Sequence, residues 1–127
     1  MIKTINFNPL IGKKLTCTCG SYDCDKRSVK QSVLDKVQLV RNDANRPLTI
    51  TSGGRCPLHK SEIHRAKPAD HQNCVAVDIF YATEQEKNEL MVLAGRHGAT
   101  AVASGKNFVH MGWREVDDSR VRTWLYK

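Results

Sequence analysis

The stretch that most constrains this chain is Asp70-His71-Gln72-Asn73-Cys74-Val75-Ala76-Val77-Asp78-Ile79-Phe80-Tyr81. Its second half is apolar and β-branched enough to cross a hydrophobic core as a strand, yet it carries Asp78 in the middle. An ionised carboxylate buried without a partner costs several kcal/mol, so Asp78 demands one, and a metal ion is one such partner. His71 stands seven positions before it. Seven residues of helix would separate the two side chains by about 10.5 Å along the axis, so His71 belongs on a loop folded back beside the strand.

The chain around this stretch reads as one α+β domain over residues 1–127. A length of 127 residues buries a sizeable core without needing disulfides or metal to fold. Residues 1–27 are irregular, with Pro9, Gly12 and Gly20 as breakers, and form an N-terminal arm. From Ser28, the residues Val29, Val33, Leu34, Val37 and Val40 recur at helical spacing and predict an amphipathic helix to about Asn42, ended by Asn45-Arg46-Pro47. Leu48 to Thr51 reads as a short strand opening onto a loop, Ser52 to Asp70, too long to be a mere connection. Its His59 and His64 read individually as solvated loop residues.

Thr83-Glu84-Gln85-Glu86 matches a capping box and starts a second helix, with Leu90, Met91, Leu93 and Ala94 on its buried side and Gly98 beyond its end. His97, near that C-terminus, complements the helix dipole. Thr100 to Ala103 and Phe108 to Trp113 predict two further strands, and the tail from Asp117 closes the domain as a strand or short helix. The architecture expected is a mainly antiparallel sheet covered by two helices.

Charge and cysteine content narrow the function classes. The formal charge of +7 is dispersed through the chain, which suits any polyanion and, with no basic block or helix-turn-helix pattern, argues against nucleic acid as the partner. No apolar run approaches the ~18 residues of a membrane span, and the N-terminus lacks the apolar segment and cleavage site of a secretory signal, so synthesis in the cytoplasm is the expectation. Three of the five cysteines, Cys17, Cys19 and Cys24, fall within eight residues. The C-x-C-x4-C spacing is not a standard zinc knuckle. Buried or loosely paired thiols are the expectation; a structural zinc site at Cys17, Cys19 and Cys24, with Cys56 or Cys74 as fourth ligand, is the alternative.

His110 is the second oddity, an imidazole bracketed by large apolar residues in a strand. A core histidine satisfied by one hydrogen bond would explain it alone. Together, however, His71, Asp78 and His110 supply two imidazoles and a carboxylate from a loop and two strands. Catalytic zinc sites use three protein ligands and keep a fourth position open, which points to metal-assisted hydrolysis of an amide. Spacing alone does not select this triple, because five histidines in such a chain offer several.

The order Thr51-Ser52-Gly53-Gly54-Arg55-Cys56-Pro57-Leu58-His59, then Asp70-His71 with Ala76-Val77-Asp78-Ile79, then Phe108-Val109-His110, resembles the M15 zinc peptidases. That family includes D-alanyl-D-alanine carboxypeptidases, peptidoglycan endopeptidases and phage lysins, and shares its fold with the hedgehog signalling domain. Leu15 to Gly20 looks like the cysteine-bearing entry segment of one branch, and Arg120 to Trp124 like its closing segment. The resemblance implies one catalytic zinc on His71, Asp78 and His110, and Arg55 holding a substrate carboxylate with its planar fork. It implies that His59 lines the same cleft and that the partner is the peptidoglycan stem peptide, met by a monomer after lysis or from a virion.

Three departures accompany it. Gly54 replaces the usual Tyr of Ser-Gly-Tyr-Arg, and Cys74 occupies a position usually small or Gly. No proton-transfer group stands near His110 at the family's spacing, where Ser104, Asn107, Phe108 and Gly112 are found. The catalytic base is therefore unassigned, with Glu115, Asp117 and Asp118 the nearest carboxylates. A metal-retaining but catalytically impaired wall-binding module is the alternative function, since general-base assistance is worth about 10²–10⁴-fold.

Overall fold

The structure is a computed structural model that describes residues 4–8, 13–114 and 122–126. Two helices pack on one face of a five-stranded sheet: a 3-10 turn (Lys13–Leu15), α1 (Gln31–Ala44), β1 (Ile50–Ser52), β2 (Ala76–Phe80), α2 (Glu84–Arg96), β3 (Ala101–Ser104), β4 (Phe108–Gly112) and β5 (Arg122–Leu125). The sheet order is β1-β2-β4-β3-β5. This is the α+β class expected from sequence, mainly antiparallel. The parallel pairing of β5 with β3 is the exception, and it brings the tail back across the sheet edge. Of that tail, residues 117–121 lie outside the described residues.

α1 buries Val33, Leu34, Val37 and Val40 against the sheet, as their 3.6-residue spacing predicts. It begins three residues later than the periodicity implies because Ser28 is already committed: it pairs with Thr16 in an isolated antiparallel bridge, and the Val29 amide donates to Leu15 O. Asn45, at φ +54°, ends the helix and returns its amide to Arg41 and Asn42 carbonyls. In α2 the Glu86 amide donates to Thr83 Oγ1 (3.1 Å), while the Glu86 carboxylate reaches the amide of Ala82 instead of that of the cap. His97 does more than complement a dipole. Its Nε2 lies 2.7 Å from Asp43 Oδ2 and joins the end of α2 to α1.

Strand alternation divides the sheet into two faces. Val77, Ile79, Val102, Val109 and Met111 join the helices in the core. On the other face, the register aligns Ser52 with Asp78, Asp78 with His110, His110 with Ala103 and Ala103 with Trp124. One row of side chains thus crosses all five strands, and Asp78 and His110 are direct neighbours in it. No helix among the described residues is long and apolar enough to cross a membrane.

Candidate metal centre

Asp78 finds its partners on three sides. His110 Nδ1 lies 3.0 Å from Asp78 Oδ1, His71 Nε2 lies 3.3 Å from the same oxygen, and the Arg55 guanidinium stands 3.6 Å from Oδ2. Burial alone would raise the Asp78 pKa, but the hydrogen bond with His110, and after it the proximity of the His71 imidazole, outweigh it and hold the carboxyl well below its usual range. His110 shifts the other way: burial opposes its charge, yet Asp70 and Asp78 on its two ring nitrogens raise its pKa above the ordinary value.

His71 is delivered by a single helical turn after the long loop, in which the Asn73 amide donates to Ala69 O and the Cys74 amide to His71 O. Its Nδ1 donates to Gly53 O (2.7 Å), which leaves the lone pair on Nε2. That atom is fully buried and makes no hydrogen bond. A lone pair aimed at a carboxylate oxygen is repulsive, and an ion between the two removes the conflict. Ligand atoms of His71, Asp78 and His110 all lie within 4.8 Å of one another. Nitrogen and oxygen ligands about 2.0–2.2 Å from one tetrahedral ion stand about 3.3 Å apart, so the residues fit zinc.

The sequence model of the family described as Peptidase M15 matches residues 9–112, which include all three of these side chains. The chain belongs to the peptidase M15 family. No curated protein matches it. M15 peptidases are metallopeptidases that depend on zinc, and this chain presents a donor set suited to that ion.

The departures from the M15 pattern have local causes. A Cβ on Gly53 would fall 2.7 Å from Leu15 Cα, and one on Gly54 would run into the Arg27 carbonyl. The N-terminal arm packs so closely over the exit of β1 that the Tyr usual at position 54 has no room. Cys74 has φ +62°, the left-handed region, so a glycine there is a backbone requirement of the turn that aims His71, and Cys74 meets it under strain.

Gly112 leaves a space that another acid fills. A Cβ on Gly112 would lie 3.0 Å from Asp70 Oδ2, and that oxygen is 2.9 Å from His110 Nε2. Asp70, buried like His71, Asp78 and His110, thus holds the far nitrogen of His110 while Nδ1 faces Asp78, the arrangement by which a carboxylate fixes the tautomer of a metal-binding histidine. Arg114 Nε in turn donates to Asp70 Oδ1. In the sequence Asp70 is only a neighbour of His71; that its carboxylate fills the volume above Gly112 is visible in the fold alone.

Glu62 was also missed. It is fully buried in the long loop and holds Arg55 Nη1 (3.2 Å), Arg65 Nε (3.2 Å) and the Gln72 amide. Arg55 is therefore committed to Glu62, Asp78 and Ser52 Oγ. His59 accepts the Ser61 amide on Nδ1; burial, and then the charge of Arg55, lower its pKa. It is not among the residues lining the cleft of about 190 Å³ that opens on His71 and His110. Asp70, Glu62, Arg65, Arg114, Trp124 and Tyr126 line it with the two histidines. Burial, and then the negative field of Asp78, push the Tyr126 phenol up to about 12. His64 is exposed. Glu115, Asp117 and Asp118 lie outside the described residues.

Proposed function

We propose that the chain is a zinc-dependent peptidase that hydrolyses peptide bonds in the stem or cross-link peptides of bacterial peptidoglycan. The observation that carries this reading is the buried, unpaired Nε2 of His71 facing Asp78 and His110 in a chain of the M15 family. Zinc held by those three side chains would supply Lewis-acid polarisation of the scissile carbonyl and activation of water. The protein's own contribution is orientation. Gly53 O and Asp70 fix the two imidazoles, and the sheet register fixes Asp78 against His110.

Arg65 and Arg114 are the cations a substrate carboxylate can reach. Their side chains are 40% and 33% exposed, against 17% for Arg55. Beyond Asp70 and Arg114 a larger groove of about 530 Å³, bordered by Lys30, extends the cleft. Its cations suit the free carboxylates of a stem peptide. We carry the place of action as a proposal too: a phage-type lysin reaching the wall after lysis, or a virion component, with detection in purified particles deciding for the latter.

A second reading, a catalytically impaired zinc-containing wall-binding module, is favoured by one observation. The two carboxylates lining the cleft, Asp70 and Glu62, are both held by arginines, which makes each a poor proton acceptor. Mass spectrometry of peptidoglycan digested in parallel by the wild type and His71→Ala, with zinc measured on both, separates the readings. New stem-peptide fragments from the wild type alone support the peptidase. Intact peptides beside a zinc-loaded wild type that sediments with walls support the binding module.

A further inference from the structure

The fold brings together four sulfurs that are not among the side chains of the candidate catalytic centre. Cys17, Cys19 and Cys24 of the N-terminal arm meet Cys56, which follows Arg55 in the loop after β1, and the four Sγ atoms all lie within 4.8 Å of one another. Cys19 Sγ and Cys56 Sγ are 3.5 Å apart. Four thiolates about 2.3 Å from one tetrahedral ion would be about 3.8 Å apart, so this spacing needs little adjustment. A disulfide, by contrast, draws two sulfurs to about 2.05 Å and gives no reason for four to share one point.

Three of the four sulfurs also receive a backbone amide. The Cys56 amide donates to Cys17 Sγ (3.2 Å), that of Ser21 to Cys19 Sγ (3.4 Å) and that of Lys26 to Cys24 Sγ (3.3 Å). The chain accepts strain to arrange this, since Lys26 stands at φ +54°. Amide bonds of this kind are strongest to an anionic acceptor. Four neighbouring thiolates require a cation among them, and soft sulfur donors in tetrahedral array select zinc over the hard divalent ions.

The segment itself calls for such an ion. Between the bridge partners Thr16 and Ser28 it contains no helix or strand, and of its side chains Cys17 alone is buried while Tyr22 is fully exposed. Almost no apolar burial opposes its chain entropy, which is the situation in which metal binding supplies the ordering free energy. The same segment presses on Gly53 and Gly54, whose carbonyl and neighbouring Arg55 support His71 and Asp78.

We propose that Cys17, Cys19, Cys24 and Cys56 form a second metal site, a structural tetrathiolate zinc centre that clips the N-terminal arm to the loop carrying Arg55. Cys74 takes no part: its sulfur faces Gln72 O. The site is independent of the peptidase reading and survives that reading's failure.

The test uses the full chain, expressed with zinc and purified without chelator. The His71→Ala, His110→Ala double variant is expected to retain about one equivalent of zinc per chain, and after exchange with Co²⁺ to show intense sulfur-to-cobalt charge-transfer absorption in the near ultraviolet. Adding Cys19→Ser and Cys24→Ser to that background should remove both the ion and the absorption. Should the quadruple variant fail to fold, titrating the native double variant with an organomercurial gives the same answer, zinc release in step with thiol modification. Three results overturn the proposal: no zinc in the double variant; cobalt bound without charge-transfer absorption; or a non-reduced intact mass lower by two hydrogens per bridge, showing these cysteines as disulfides.

Discussion

Removing the carboxylate of Asp70 tests whether the metal centre depends on a residue that holds no metal. Asp70 Oδ2 is 2.9 Å from His110 Nε2 and its other oxygen is bound by Arg114. In Asp70→Ala the imidazole loses the acceptor that keeps its proton on Nε2 and its lone pair on Nδ1, facing Asp78. Partners of this kind are worth about 10–100-fold in metal affinity, or about 1.4–2.8 kcal/mol at 1.4 kcal/mol per factor of ten. Asp70→Asn keeps an acceptor oxygen of the same reach without the charge and should fall between the two. Gly112→Ala provides an independent approach to the same atom, since its new Cβ would stand 3.0 Å from Oδ2 and force the carboxylate off its present line. Competition against a calibrated chelator measures the affinities, and denaturant unfolding of the zinc-free proteins separates misfolding from lost binding. Zinc affinity within about twofold of wild type for a folded Asp70→Ala, against the 10–100-fold loss, would refute the argument.

Arg55→Ala should destabilise the chain by about 3 kcal/mol, the low end for breaking a buried ion pair, because Arg65 and Gln72 remain on Glu62; urea unfolding measures this. Thr83→Ala should cost about 1 kcal/mol through the lost cap of α2, with bound zinc unchanged by metal analysis. In the zinc-free protein the depressed Asp70 and Asp78 contribute stability above the ordinary carboxylate range and lose it as pH falls through their folded values. The raised His110 contributes fully below about 6.5 and loses its share as pH rises through its folded value. Thermal unfolding without zinc should therefore peak between those limits. With zinc the upper limb should reverse, because the ion displaces the His110 proton; parallel slopes with and without zinc would contradict the assignment.

Much of the candidate centre was legible because its side chains sit where local pattern is strongest. Asp78 and His110 are polar residues in apolar strands, and His71 precedes a turn ending at a left-handed position. Asp70 was not legible, because its role arises from empty volume above Gly112 on another strand. Arg55 offers a planar fork to which the family resemblance gives a substrate carboxylate, and only the fold shows that it also holds Glu62, seven residues on in the same loop.

The amino-acid order by itself determined the two helices, the cap of α2, the core-crossing strands and the candidate donor residues, since each follows from periodicity, capping or burial within a few neighbours. Tertiary structure alone decided the pairing of Asp78 with His110, the parallel return of β5 that sets Trp124 beside that row, the choice of Cys56 over Cys74, and the placement of Asp70. These depend on strand register and on contacts between segments some 20 to 40 residues apart. A shift of one residue in register would turn every side chain of a strand to the opposite face, and no local signal in the chain states which register prevails.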